Sequence, residues 1–140
     1  MPEPTTILFA CIHNAGRSQM GAGFASALGG DRVRVLSGGS EPGSAVNPVV
    51  VAAMWERGIE LAGAQPRAFD EAMVASADIV VTMGCGDTCP FFPGKRYLDW
   101  PLDDPAGQPI EVVRRIRDEV EALVRGLLAE VGVPVVGSRA

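Results

Sequence analysis

Short apolar runs alternate with stretches of helical periodicity along the whole chain, and this alternation restricts the fold more than any other feature. Residues 7–11 are apolar without a break, as expected of a strand buried on both faces. Helical spacing follows: Met20, Phe24, Ala27 and Leu28 recur after Gly16, Arg17 and Ser18, and Gly29 with Gly30 stops the pattern. A second strand is expected over residues 33–36, ended by Ser37, Gly38, Gly39 and Ser40. Asn47 and Pro48 suit the N-cap and first turn of a helix running to Arg57, where Gly58 closes it. A short helix is expected over 69–77, strands over 78–83 and 95–100, and a last helix from Pro109. That helix carries Val112, Val113, Ile116, Val120, Leu123, Val124 and Leu127 along one stripe.

Strands separated by helices predict an α/β fold, a four-stranded parallel sheet with helices on both faces. The 140 residues suit one domain over 1–140. Sites in such folds lie beyond the carboxyl ends of the strands. Three loops are thereby singled out, 11–18, 37–46 and 84–94, and all three cysteines fall in the first and last.

Net charge is −5, which argues against nucleic acid, whose binders carry a basic face. An acidic chain that binds an anion must concentrate positive potential locally. Residues 1–6 lack the positive charges of a signal sequence, and no run is long enough to span a bilayer. The expected compartment is the cytoplasm, with no membrane partner. Three cysteines there read as buried thiols, metal ligands or redox groups. Zinc is disfavoured: Cys85 and Cys89 would need two more ligands, and only Cys11 and His13 are available, so no metal is expected.

The loop Cys11, Ile12, His13, Asn14, Ala15, Gly16, Arg17, Ser18 has the form Cys-x5-Arg-Ser between a strand and a helix. Consecutive N–H groups turned inward make an anion nest, and the helix N-terminus adds its positive end. Gly16 allows close backbone approach, and Arg17 offers a planar fork for two oxygens of a tetrahedral anion. The same field favours a thiolate at Cys11, and Ser18 can donate a hydrogen bond to the sulfur. The His13 side chain reads as an exposed spacer whose N–H does the work. Met54 and Trp55 read as core packing.

Cys11-x5-Arg17-Ser18-Gln19-Met20 resembles the signature of thioredoxin-coupled arsenate reductases of the low-molecular-weight protein tyrosine phosphatase type. Residues 37–40, 77–83 and 100–105 resemble further motifs of that family, so the likeness covers roughly residues 7–128. It implies the low-molecular-weight phosphatase-like fold and reduction of arsenate to arsenite, with phosphate or sulfate as competing oxyanions. It also implies thioredoxin or another thiol reductant as partner, and no cofactor. By resemblance Asp104, just before Pro105, is the general acid, with Asp103 the alternative. A second thiolate can attack the Cys11 sulfur and expel As(III), leaving a disulfide that a third thiol takes over. By resemblance Cys85 attacks first and Cys89 resolves, although only three residues separate them, fewer than in better-known members. Some members bind potassium through acidic residues where this chain has Ala22 and Arg67, so no potassium requirement is expected. Two alternatives stand beside this reading. A tyrosine phosphatase of the same fold usually has Pro where Gln19 stands and Tyr where Ala106 stands, and has no use for Cys85 and Cys89. A non-catalytic oxyanion sensor needs neither a general acid nor extra thiols.

Overall fold

The computed structural model describes residues 4–84 and 94–135. Four strands, β1 (Thr5–Cys11), β2 (Val33–Gly39), β3 (Ile79–Thr82) and β4 (Arg96–Asp99), form one sheet in the order β2-β1-β3-β4. Every neighbouring pair is parallel. The helices are α1 (Arg17–Gly29), α2 (Pro48–Trp55), α3 (Glu71–Ser76) and α4 (Ile110–Glu130). Register brings Cys11 opposite Gly39, Ala10 opposite Thr82, and Thr82 opposite Asp99. The carboxyl ends of all four strands therefore lie along one edge of the sheet.

β1 is central and wholly enclosed, with Ile7, Leu8, Phe9 and Ala10 without exposed surface. Its side chains alternate between two cores. Ile7, Phe9 and Cys11 pack with residues of α1, α2 and α4, including Phe24, Val50, Met54, Val113 and Ile116. Leu8 joins Val80, Val74 and Ala77 on the α3 face. Helices thus cover both faces, as the unbroken apolar strands require. Truncating Phe9 to alanine would cost about 3–5 kcal/mol.

The elements match the sequence-derived ones in kind and order, and differ at their edges. β2 runs on through Gly39, because Ser37, Gly38 and Gly39 pair with Phe9, Ala10 and Cys11. Gly38 and Gly39 stand where side chains would collide: a Cβ on Gly38 would lie 2.7 Å from the Phe69 backbone nitrogen. Three apolar residues assigned to the core face solvent instead. Ala27 is exposed, and α1 buries Gly21, Phe24 and Ala25. Leu123 is 37% exposed at the border of the α4 stripe. Trp55 is 62% exposed, while its neighbour Met54 is fully buried. α2 buries Val50, Ala53 and Met54, and one more residue turns about 100° off that stripe.

The helix starts differ in a way that matters for the site. Asn47 Oδ1 caps α2 by accepting from Val49 N at 2.9 Å, and Asp70 Oδ1 caps α3 by accepting from Met73 N at 2.8 Å. α1 has Gly16 at its N-cap position, with no side-chain cap and no acidic residue in its first turn. Its N-terminal N–H groups and dipole are left facing the end of β1. Among the described residues no helix is long and apolar enough to cross a membrane.

Candidate active site

The loop between β1 and α1 is held from outside by its carbonyls. Cys11 O accepts from Ser40 N at 3.2 Å, Ile12 O from Glu41 N at 2.7 Å, and His13 O from Gly43 N at 2.9 Å. Asn14 O accepts from Gln19 Nε2 at 3.0 Å, Ala15 O from Asn47 N at 2.8 Å, and Gly16 O from Met20 N at 3.0 Å. With six successive carbonyls engaged this way, the amides turn to the concave side, where the Asn14 N–H donates to Cys11 Sγ at 3.2 Å. The segment following β2 supplies four of the six donors, and Gly39 lets it lie close. A Cβ there would overlap Ile12 O and lie 3.0 Å from Asn14 N.

Cys11 is buried, 3% exposed, at the end of β1. Its sulfur lies 2.8 Å from Ser18 Oγ. Ser18 Oγ also accepts from Asn14 Nδ2 at 2.7 Å, and its hydroxyl hydrogen is available to a thiolate at Cys11. Asn14 is the centre of this arrangement. It is fully buried and adopts φ 50, a left-handed conformation that asparagine tolerates better than most residues. Its Oδ1 accepts from Gln19 Nε2 at 3.1 Å and from Arg67 N at 3.0 Å, which fixes the amide so that Nδ2 faces Ser18.

Arg17 opens α1 and is 8% exposed. Its Nη1 donates to Leu102 O at 3.1 Å, and its Nη2 lies 3.8 Å from Asp104 Oδ2. Gly84, just after β3, comes so close that a Cβ there would overlap Nη1 and lie 2.9 Å from Cζ. Arg17, Cys11, Ala15 and Gly16 line a cavity of about 70 Å³, closed on the far side by Asp104 and Pro105. Gly16 permits that closure, since a Cβ on it would lie 2.8 Å from Pro105 Cγ.

The two adjacent aspartates face different ways. Asp104 lines the cavity, and its Oδ1 accepts from Ala106 N at 3.0 Å in a tight turn. Asp103 Oδ2 instead accepts from Arg115 Nη2 on α4 at 3.0 Å. His13 is exposed and also lines the cavity, with Nδ1 2.9 Å from Glu41 O. A carbonyl only accepts, so Nδ1 carries the proton. Ala22 is half-buried on α1, and Arg67 reaches the loop through its backbone while its side chain is exposed. No group of three or more metal-ligating side chains occurs among the described residues.

Cys11, Ile12, His13, Asn14, Ala15, Gly16, Arg17, Ser18 and Asp104 are thus brought to one place, while Cys85 and Cys89 lie outside the described residues. Sequence reasoning missed Gln19 as the tether of Asn14, Leu102 O and Gly84 as neighbours of Arg17, and the Arg67 N–H. Only Gln19 carried a local signal, a long amide directly after the loop. The others act through backbone atoms distant in sequence.

Residues 6–135 match the low molecular weight phosphotyrosine protein phosphatase family. The chain is 41% identical over 127 residues to a putative arsenate reductase of Halobacterium salinarum, covering 87% of this chain and 89% of the other. It is 36% identical over 128 residues to the glutaredoxin arsenate reductase of Synechocystis, covering 89% and 97%. A thioredoxin-dependent arsenate reductase from Corynebacterium glutamicum superposes with a TM-score of 0.79 at 37% identity. That match covers 93% of this chain and 62% of the longer Corynebacterium chain.

Proposed function

The chain belongs to the low molecular weight phosphotyrosine protein phosphatase family, and within it we propose that this protein reduces arsenate to arsenite with Cys11 as nucleophile. The observation that carries the reading is a buried sulfur hydrogen-bonded to the Asn14 N–H and the Ser18 hydroxyl inside a loop whose carbonyls all face away, beside an arginine at an uncapped helix start. That is a site for a negative nucleophile and a tetrahedral oxyanion together. Two further thiols, Cys85 and Cys89, follow in the sequence, and reduction needs them where phosphoester hydrolysis does not.

The proposed sequence begins with arsenate in the nest, its oxygens bound by the N–H groups of residues 12–18 and by Arg17. The Cys11 thiolate attacks arsenic. An S–As bond forms, an As–O bond breaks, and the departing oxygen leaves as water with a proton from Asp104. Asp104 rather than Asp103 suits this role because its carboxyl lines the cavity, whereas Asp103 is paired with Arg115. The Cys85 thiolate then attacks Cys11 Sγ. An S–S bond forms, the S–As bond breaks, and its electron pair stays on arsenic, which departs as arsenite. Cys89 attacks Cys85 and frees Cys11, and thioredoxin or another thiol reductant reduces the Cys85–Cys89 disulfide. The Synechocystis and Corynebacterium relatives, named for glutaredoxin and thioredoxin, support a protein dithiol as the donor class.

The test is arsenate-dependent NADPH oxidation with thioredoxin and thioredoxin reductase added. Turnover is expected in the wild type. Cys89→Ser should release one equivalent of arsenite and stop, holding a Cys11–Cys85 disulfide. Cys85→Ser should release none while hydrolysing a small aryl phosphate slowly. Aryl phosphate hydrolysis without arsenate turnover by any thiol donor would instead make the protein a phosphatase. A Cys11–Cys89 bond formed with arsenite release in Cys85→Ser would reverse the order of the two cysteines.

A further inference from the structure

Among the described residues the guanidinium of Arg17 has few fixed partners for a group so deeply placed. One neutral carbonyl, Leu102 O, accepts from Nη1, and the nearest carboxylate, 3.8 Å from Nη2, belongs to Asp104, whose side chain is 55% exposed. Neither is a clamp. What occupies the remaining side is the backbone of Gly84. The Met83 N–H is held by Ala10 O at 2.8 Å, which anchors the end of β3 to β1, and the chain then turns through Gly84 at φ 97. A side chain on Gly84 would overlap Nη1 and crowd Cζ at 2.9 Å. The open space above this glycine is the space in which the guanidinium lies.

We infer that Gly84 is a positioning residue for the oxyanion, acting through Arg17: its lack of a side chain sets where the guanidinium fork sits over the nest. The inference rests on the oxyanion reading above for the identity of the ligand. Gly84 is bound to the rest of the fold through β3 and directly precedes Cys85 in the sequence. The residue that seats the arginine is therefore the chain neighbour of the thiol proposed to attack Cys11. A fork displaced by a methyl group meets fewer anion oxygens, and charged hydrogen bonds lost in this way weaken binding about tenfold or more.

Two effects of Gly84→Ala must be separated, the strain of a positive φ and the collision with Arg17. Gly58 supplies the control: it has φ 75, and a Cβ there would meet nothing within 4 Å. Inorganic phosphate is the probe, with affinity measured by titration calorimetry and by protection of Cys11 from alkylation. Gly84→Ala should bind phosphate about tenfold more weakly than wild type, and Gly58→Ala should lose thermal stability and keep its affinity. In an Arg17→Ala background, which removes the whole guanidinium, Gly84→Ala should weaken phosphate by less than about twofold. If Gly84→Ala alone does not fold, the double variant should, because the collision is gone. Wild-type affinity in Gly84→Ala, the same loss in both backgrounds, or failure of both to fold overturns the inference. A wild type that binds neither phosphate nor arsenate overturns the oxyanion reading itself.

Discussion

Two arginines are almost equally buried, Arg17 at 8% and Arg117 at 5%, and their surroundings are opposite. Arg117, on α4, donates from Nη1 to Ala53 O at 2.9 Å and to Glu56 Oε1 at 2.7 Å, and from Nε to Asp118 Oδ1 at 2.9 Å. Its charge is answered inside the protein. Glu56 is answered in turn, since Arg114 and then Arg117 hold its carboxyl well below the usual range, at about 2. Among the described residues Arg17 has one carbonyl, one distant and exposed carboxylate, and a cavity. A guanidinium has five N–H donors and cannot lose its charge in a protein. Where the fold does not satisfy it, a ligand can. The α2–α4 seam is a structural use of arginine, and the end of β1 is the proposed recognition use.

This contrast can be broken by experiment. The largest effect is expected at the nucleophile: Cys11→Ser should abolish arsenate turnover and any phosphatase activity together, with little change in Tm. Arsenate reduction above a trace in this variant would remove Cys11 from the chemistry. The next effect is at the general acid. Asp104→Asn should slow adduct formation about 10²–10⁴-fold in single turnovers, and Asp103→Asn much less. A more damaged Asp103→Asn would exchange the two roles.

The arginines themselves should then separate activity from stability. Arg17→Lys keeps the charge and loses the fork, so kcat/KM should fall on the order of 10²-fold while Tm barely moves. Arg117→Met should lower stability by about 1–3 kcal/mol in urea unfolding and leave the folded enzyme's turnover unchanged. Equal losses of activity in both variants would end the distinction.

The smallest effect is a pH dependence. The folded pKa of Glu56, about 2, lies below its ordinary 4.5. Its contribution to stability is therefore complete above about 4.5 and is lost as pH falls toward about 2. Wild type should melt above Glu56→Gln near neutral pH, and the gap should close across that acid window. A gap that stays constant there would show that the seam does not depend on the Glu56 charge.

What the chain determined by itself is local. The strand before Cys11, the spacing to Arg17 and Ser18, and the helix after them lie within one short stretch, where sterics, propensity and hydrophobic period all act on near neighbours. The alternation of apolar runs likewise announced a parallel sheet and the edge on which a site would form. Four of the six donors that engage the loop carbonyls come from residues 40–47, and the Arg67 N–H reaches Asn14 across 53 positions. Such backbone donors are common to nearly every residue type, so no side-chain pattern marks them. Which of Asp103 and Asp104 lines the cavity was equally hidden in the residue types, because it depends on where Arg115 sits on α4 relative to that turn. The exposure of Trp55 was hidden too, since its residue type suits a core and only the orientation of α2 places it in solvent. Tertiary structure decided these points because they concern which surfaces meet, and a linear order of residues does not contain the relative placement of elements that pack together.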